Sequence, residues 1–199
     1  ERLQQLFLVI NEVNPTLLAD TDGLFFVSSL EFNRSWGLGS SSTLVSLLAQ
    51  WSEVNPYVLL QKVFGGSGYD IACATADGAL LYERTNAIHP TITAVDFNPC
   101  FKDQLFFVHL NQKQDSQQAV VAFDNGVLTP QKMKIINGLT QSFLSNLILM
   151  DFQELMTQHE AIIASLINAT TIQKMLFNAY HGTIKSLGAR GGCSIWACG

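Results

Sequence analysis

"RSWGLGSSSTLVSLLAQW", residues 34–51, places two glycines and a run of three serines directly ahead of an apolar stretch with helical rhythm. A flexible linker has a similar composition. A linker is not clamped, however, between Trp36 and the block Leu44, Val45, Leu47, Leu48 and Trp51. The apolar spacing predicts a helix from about Ser42 to Ser52, opened by a glycine–serine turn. Glycines let backbone N–H groups turn inward, and a helix start carries partial positive charge, so the pair suits an anion. Ser40, Ser41 and Ser42 add hydroxyls that bind phosphate oxygens or a hard cation. A plain strand–turn–helix junction with a capping serine fits the composition equally well. The stretch is not a P-loop, because the Gly-x-x-x-x-Gly-Lys-[Ser/Thr] spacing and its lysine are absent.

The totals bound the rest. With 199 residues, 48% hydrophobic and 14% charged, the chain builds one sizeable core or two smaller ones. A net charge of -5 gives no pull toward nucleic acid or an anionic membrane. No apolar stretch approaches the roughly 20 residues of a membrane helix. The opening "ERLQQLFLVI" has neither a basic region nor a small-residue cleavage site and is not read as a signal peptide. It also lacks a starting Met, so a fragment is expected. Cys73, Cys100, Cys193 and Cys198 form no CxxC pair, which favours reduced thiols in a cytoplasmic protein over zinc or disulfides.

Along the chain, residues 1–12 carry Leu3, Leu6, Phe7 and Ile10 at helical spacing. "GLFFVSSLEF" (23–32) reads as a strand from its Phe and Val content. Asn55-Pro56 opens a helix running to Phe64, "GGSG" breaks it, and Tyr69–Ala76 is helical again. "GALLYER", "TITAVDF" and "DQLFFVHL" read as strands, after which the polar loop "NQKQDS" leads to "QQAVVAFD" (117–124). Thr129-Pro130 caps the first of two longer helices, 129–150 and 151–168. "GTIKSL" and "CSIWACG" are strands around a last glycine turn, Gly188–Gly192. Strands and helices without regular βα alternation imply an α+β fold.

Two further stretches bear on chemistry. In "GGSGYD", Asp70 follows a run of glycines, where its carboxylate either accepts a proton from a hydroxyl substrate or simply caps a helix. In "KSLGARGGCSIWACG", Gly188, Gly191 and Gly192 permit close backbone approach to a ligand or merely a tight hairpin. Lys185 and Arg190 beside them favour an anion. His109 is expected to be a satisfied structural histidine, and His159 and His181 surface residues. Lys185 is as readily a solvated surface lysine. Trp36, Trp51 and Phe64 are expected in the core.

Taken in order, "GLGSSST" opening one helix, "GSGYD" opening another and "KSLGARGG" near the C-terminus resemble the GHMP kinases. The second stretch is most similar to the mevalonate and phosphomevalonate kinase branch. The resemblance spans residues 24–199. It implies a two-domain α+β fold with the active site in the inter-domain cleft, residues 1–98 being the remainder of the N-terminal ATP-binding domain and 99–199 the C-terminal domain. It implies the cofactors ATP and Mg²⁺, with Gly37, Leu38, Gly39, Ser40, Ser41 and Ser42 around the phosphates and Ser41 nearest the metal. Asp70 would orient or deprotonate the substrate hydroxyl, and Gly188, Ala189, Gly191 and Gly192 would support the site. The implied activity is ATP-dependent phosphorylation of mevalonate, phosphomevalonate or a similar small molecule in the cytoplasm. Diphosphomevalonate decarboxylase and a catalytically silent nucleotide- or metabolite-binding protein of the same fold are the alternatives. The partner is a small-molecule substrate rather than nucleic acid or a membrane, and a homodimer is a possible assembly.

The sequence departs from the family in stated places. The Pro-Gly-Lys strand and Gly-Glu turn of the first motif are absent, as though the chain starts after them, so weak or no turnover is expected of these 199 residues alone. Leu59 stands where mevalonate kinases carry a metal-binding glutamate, a position at which phosphomevalonate kinases also lack one. In the third motif Leu187, Arg190 and Cys193 replace the usual Ser or Thr, Gly and Asp.

Overall fold

The computed structural model describes residues 1–19, 23–110, 128–145, 147–187 and the backbone of 194–198. It is a mixed helix and strand structure, as the sequence pattern predicts. The helices are α1 (Arg2–Val13), α2 (Thr16–Ala19), α3 (Ser40–Ser52), α4 (Pro56–Val63), α5 (Tyr69–Ala74), α6 (Pro130–Ser142), α7 (Leu149–Leu166) and α8 (Ile172–Leu176). The strands are β1 (Leu80–Glu83), β2 (Thr91–Ala94), β3 (Leu105–His109), β4 (Thr183–Ser186) and β5 (Ser194–Cys198). The chain divides into two compact units, one of Glu1–Glu31 with Gly39–Asp96 and one of Phe32–Leu38 with the described residues from Phe97 onward.

In the first unit α3 packs against both α4 and α5, and α1 packs on α4. The apolar spacing of α1 delivers Leu6, Val9 and Ile10 to a core shared with Val45, Leu48 and Ala49 of α3 and Leu59 and Val63 of α4. Burying such aliphatic side chains contributes about 1.5–3 kcal/mol each, which is what holds short helices of modest intrinsic propensity. Ser52, fully buried at the end of α3, is satisfied because its hydroxyl donates to the Leu48 carbonyl at 2.6 Å. The start of α4 follows from Asn55, whose side chain accepts from the Tyr57 N–H at 2.8 Å, and from Pro56 in the first turn. The Asn55 amide also donates to the Ile88 carbonyl at 3.1 Å, tying the β1–β2 connection back to α4. Strands β1 and β2 pair antiparallel, with Leu80 opposite Ala94 and Glu83 opposite Thr91.

In the second unit β5 lies between β3 and β4, antiparallel to both. Helices α7 and α8 pack on β4. Phe101, Phe152 and Met156 form a core whose rings interlock, with Phe152 lying 5.1 Å from Phe101 and 5.2 Å from Phe143. Thr129 caps α6 by accepting from the Lys132 N–H at 3.2 Å, with Pro130 at the first position.

Several sequence expectations are corrected. Residues 23–32 form no strand. They have no ladder partner among the described residues, and Phe26 packs its ring on Phe7 (5.0 Å) and Trp51 (4.9 Å) while Phe25 stays 92% exposed. Side-chain β preference extends a backbone, but a strand also needs a neighbour to accept its hydrogen bonds. The first of the two long C-terminal helices is shorter than the apolar pattern suggests, ending at Ser142, and the second keeps its expected length but starts two residues earlier, at Leu149. Trp36 (46% exposed) and Trp51 (37% exposed) lie at the surface rather than in the core, the Trp36 ring 6.3 Å from that of His109, while Phe64 packs partly buried against the first core.

Candidate functional site

Two helices of the first unit start in the same unusual way. Gly39 is the N-cap of α3 at φ 74° and Gly68 the N-cap of α5 at φ 85°, both left-handed and neither with a side-chain capping bond. Left-handed backbone costs an L-residue about 1–2 kcal/mol and costs glycine little, which explains the residue type at both positions. The competing sequence reading for the first loop, a serine cap, does not hold. Ser40, Ser41 and Ser42 lie inside the first turn of α3, and Gly39 occupies the cap. The first turn therefore presents backbone N–H groups that no side chain caps, with three hydroxyls alongside. The Thr43 N–H and hydroxyl both donate to the Gly39 carbonyl, at 3.0 and 3.1 Å. Gly37, also left-handed at φ 70°, and exposed Leu38 lead into this turn.

Asp70 is likewise not a cap. It sits one position past the start of α5, in the first turn, where the helix dipole favours a carboxylate without a capping hydrogen bond. Its surface is open to solvent, yet enough protein surrounds it for partial desolvation to push its carboxyl above the ordinary carboxylate range. Helices α3 and α5, whose N-caps are Gly39 and Gly68, are distant in sequence but pack together in the first unit.

The turn before Asp70 is built by tyrosines that sequence reasoning missed. A Cβ on Gly68 would lie 2.9 Å from both the Tyr57 ring and the Tyr82 hydroxyl. That hydroxyl donates to the Ser67 carbonyl at 2.6 Å, and the Tyr82 ring meets Tyr69 edge-on at 5.9 Å. Tyr69 has its phenol pushed up to about 12, first by a hydrogen bond with Cys73 and then by desolvation and the charges of Cys73 and Asp70. No spacing signal marks Tyr82, which lies on β1 beyond a turn and a helix.

Leu59 is fully buried in the core. Among the described residues no group of three or more His, Cys, Asp or Glu side chains converges as a metal site. Gly188, Ala189, Gly191 and Gly192, with Arg190 and Cys193, lie outside the described residues.

Their approach is described, and it corrects three expectations. Lys185 is not a solvated surface lysine: burial pushes its ammonium down, Glu160 opposes that shift, and its Nζ donates to the Ser186 carbonyl at 3.0 Å. Glu160, 6% exposed on α7, accepts from the Ser186 hydroxyl at 2.7 and 2.8 Å and from the Ser186 N–H at 3.2 Å. His159 is half-buried rather than a surface residue; desolvation and then the Lys185 charge lower its imidazole to about 4, and its Nδ1 is buried without a partner. His109 also has a buried, unpartnered Nε2, so it is structural without being satisfied at that atom.

Compared with protein-family models, with curated proteins and with solved structures, the chain matches none. No helix among the described residues is long and apolar enough to cross a membrane.

Proposed function

We propose that this protein is an ATP-dependent small-molecule kinase of the GHMP type, acting on mevalonate, phosphomevalonate or a metabolite of that kind. The observation that carries the reading is the pair of packed helices that each begin on a left-handed glycine, one with an uncapped serine-rich first turn and the other with Asp70 in its first turn. A phosphate chain fits the first of these. Where a Cβ on Gly39 would stand there is open space, and the adjacent N–H groups and the helix dipole supply what an anion needs. Gly37, Leu38, Gly39, Ser40, Ser41 and Ser42 would hold the ATP phosphates, and the Ser41 hydroxyl would face the cation. With no cluster of metal-ligating side chains among the described residues, Mg²⁺ would be held chiefly by the nucleotide, where it would neutralise charge on the transferring phosphoryl group.

Asp70 orients the substrate hydroxyl and accepts its proton, an assistance worth about 10²–10⁴-fold in such reactions. A raised carboxyl is a better base, and Asp70 stands exposed in the first turn of α5 rather than at its cap. Fully buried Leu59 favours the phosphomevalonate branch, which lacks the metal-binding glutamate. The same proposal includes the family's two-domain arrangement with its cleft, the support from Gly188, Ala189, Gly191 and Gly192, and a cytoplasmic location.

The test is turnover by the full natural gene product with ATP, Mg²⁺ and mevalonate, phosphomevalonate or diphosphomevalonate. ADP release without CO₂ is expected. ADP release with CO₂ would assign the decarboxylase instead, and saturable nucleotide binding with no turnover on any of these would assign a silent binding protein.

A further inference from the structure

We infer that Tyr82 is a positioning residue for Asp70, acting from β1 through the glycine turn 65–68. The inference rests on Asp70 being the group that meets substrate. Tyr82 touches each of the three residues that precede Asp70. Its hydroxyl donates to the Ser67 carbonyl at 2.6 Å, the same oxygen stands 2.9 Å from where a Gly68 Cβ would be, and its ring packs edge-on against Tyr69 at 5.9 Å.

Gly65, Gly66 and Gly68 of the turn are all at positive φ (72°, 98° and 85°), and glycine-rich backbone carries the largest entropy of ordering. Its ends are tied by the Gly65 N–H donating to the Leu60 carbonyl at 2.8 Å and by the Gly68 carbonyl accepting from the Ile71 and Ala72 N–H groups at 3.1 and 3.2 Å. Between them the Gln61 amide donates to the Gly66 carbonyl at 3.1 Å and the Ser67 hydroxyl accepts from the Tyr69 N–H at 3.3 Å. Helix α5 has only six residues (Tyr69–Ala74), too short to stand alone, and is held by its packing on α3, through buried Ile71 and Ala72, and by the turn that leads into it. Strand β1 pairs with β2 from Leu80 to Glu83, with Tyr82 opposite Ile92. Tyr57 closes the other side with its ring alone.

Tyr82→Phe removes the hydroxyl and keeps the ring, and two readouts in the full chain decide the matter. The first is the ¹³Cγ titration of Asp70, assigned with Asp70→Asn. A turn released by Tyr82→Phe hydrates the carboxylate, so its midpoint moves down toward the ordinary range. An unchanged midpoint overturns the inference. The second is turnover in the phosphoryl-transfer assay. Losing one neutral hydrogen bond that orients the base lowers kcat about 10-fold, with KM for ATP within about twofold. Wild-type kcat in Tyr82→Phe, where Asp70→Asn is inactive, overturns it as well. If Asp70→Asn keeps full turnover, the catalytic reading of Asp70 has failed, and the titration still decides whether Tyr82 holds it.

Discussion

Alanine placed at Gly39 and at Gly68 separates two costs that the sequence alone cannot distinguish. Both glycines cap helices with nearly the same left-handed backbone, φ 74° and 85°. At Gly39 nothing lies within 4 Å of an added Cβ, so Gly39→Ala incurs only the backbone term, about 1–2 kcal/mol. At Gly68 the same methyl lies 2.9 Å from the buried Tyr57 ring and 2.9 Å from the Tyr82 hydroxyl, which is itself held by Ser67. Overpacking of that kind adds about 1–3 kcal/mol, for a total of about 2–5 kcal/mol. Urea denaturation of the 199-residue chain followed by circular dichroism measures both, compared at equal m value. The midpoint for Gly68→Ala is expected well below that for Gly39→Ala. Equal midpoints would refute the claim that the tyrosines, rather than backbone angle alone, demand glycine at 68.

Other outcomes follow from the same geometry. Asp70→Asn should lower kcat by about 10²-fold or more with ATP affinity nearly unchanged and stability little altered, since Asp70 makes no capping bond; a variant retaining most of its kcat removes Asp70 from the mechanism. Glu160→Ala strips the acceptors from the Ser186 hydroxyl and N–H and should cost about 1–3 kcal/mol in urea, with Glu160→Gln costing less; equal effects would mean the hydrogen bonds contribute nothing. His159 binds its proton less readily folded (about 4) than unfolded, so protonation favours the unfolded chain; its share of stability is present above about pH 6.5 and is lost as pH falls toward about 4. Comparing midpoints at pH 7 and pH 4.5 for wild type and His159→Gln checks this, and an identical pH dependence in the two would contradict it.

Helices with a strong local signal were legible in the sequence. Asn55-Pro56 and Thr129-Pro130 place the starts of α4 and α6 because cap and proline act within a few residues. What depended on distant partners was not. The stretch 23–32 has the composition of a strand, but no neighbouring strand among the described residues accepts its backbone bonds. His159 and Lys185 look like surface polar residues by type, yet α7 packing on β4 desolvates both. The candidate site divides the same way. The glycines, serines and Asp70 were visible as motifs, whereas the choice between capping and free groups required the cap geometry. Tyr82 was invisible, since only the fold brings β1 against the turn before α5.

The central claim is that nucleotide phosphates lie over the first turn of α3. Titrating the ¹⁵N-labelled protein with a non-hydrolysable ATP analogue and Mg²⁺ tests it most directly, through the backbone amides that would cradle the phosphates. The account predicts large, saturable shifts at Gly39, Ser40, Ser41 and Ser42, exceeding those at Gly65 and Gly66. Saturable binding that leaves the Gly39–Ser42 amides unmoved would contradict it.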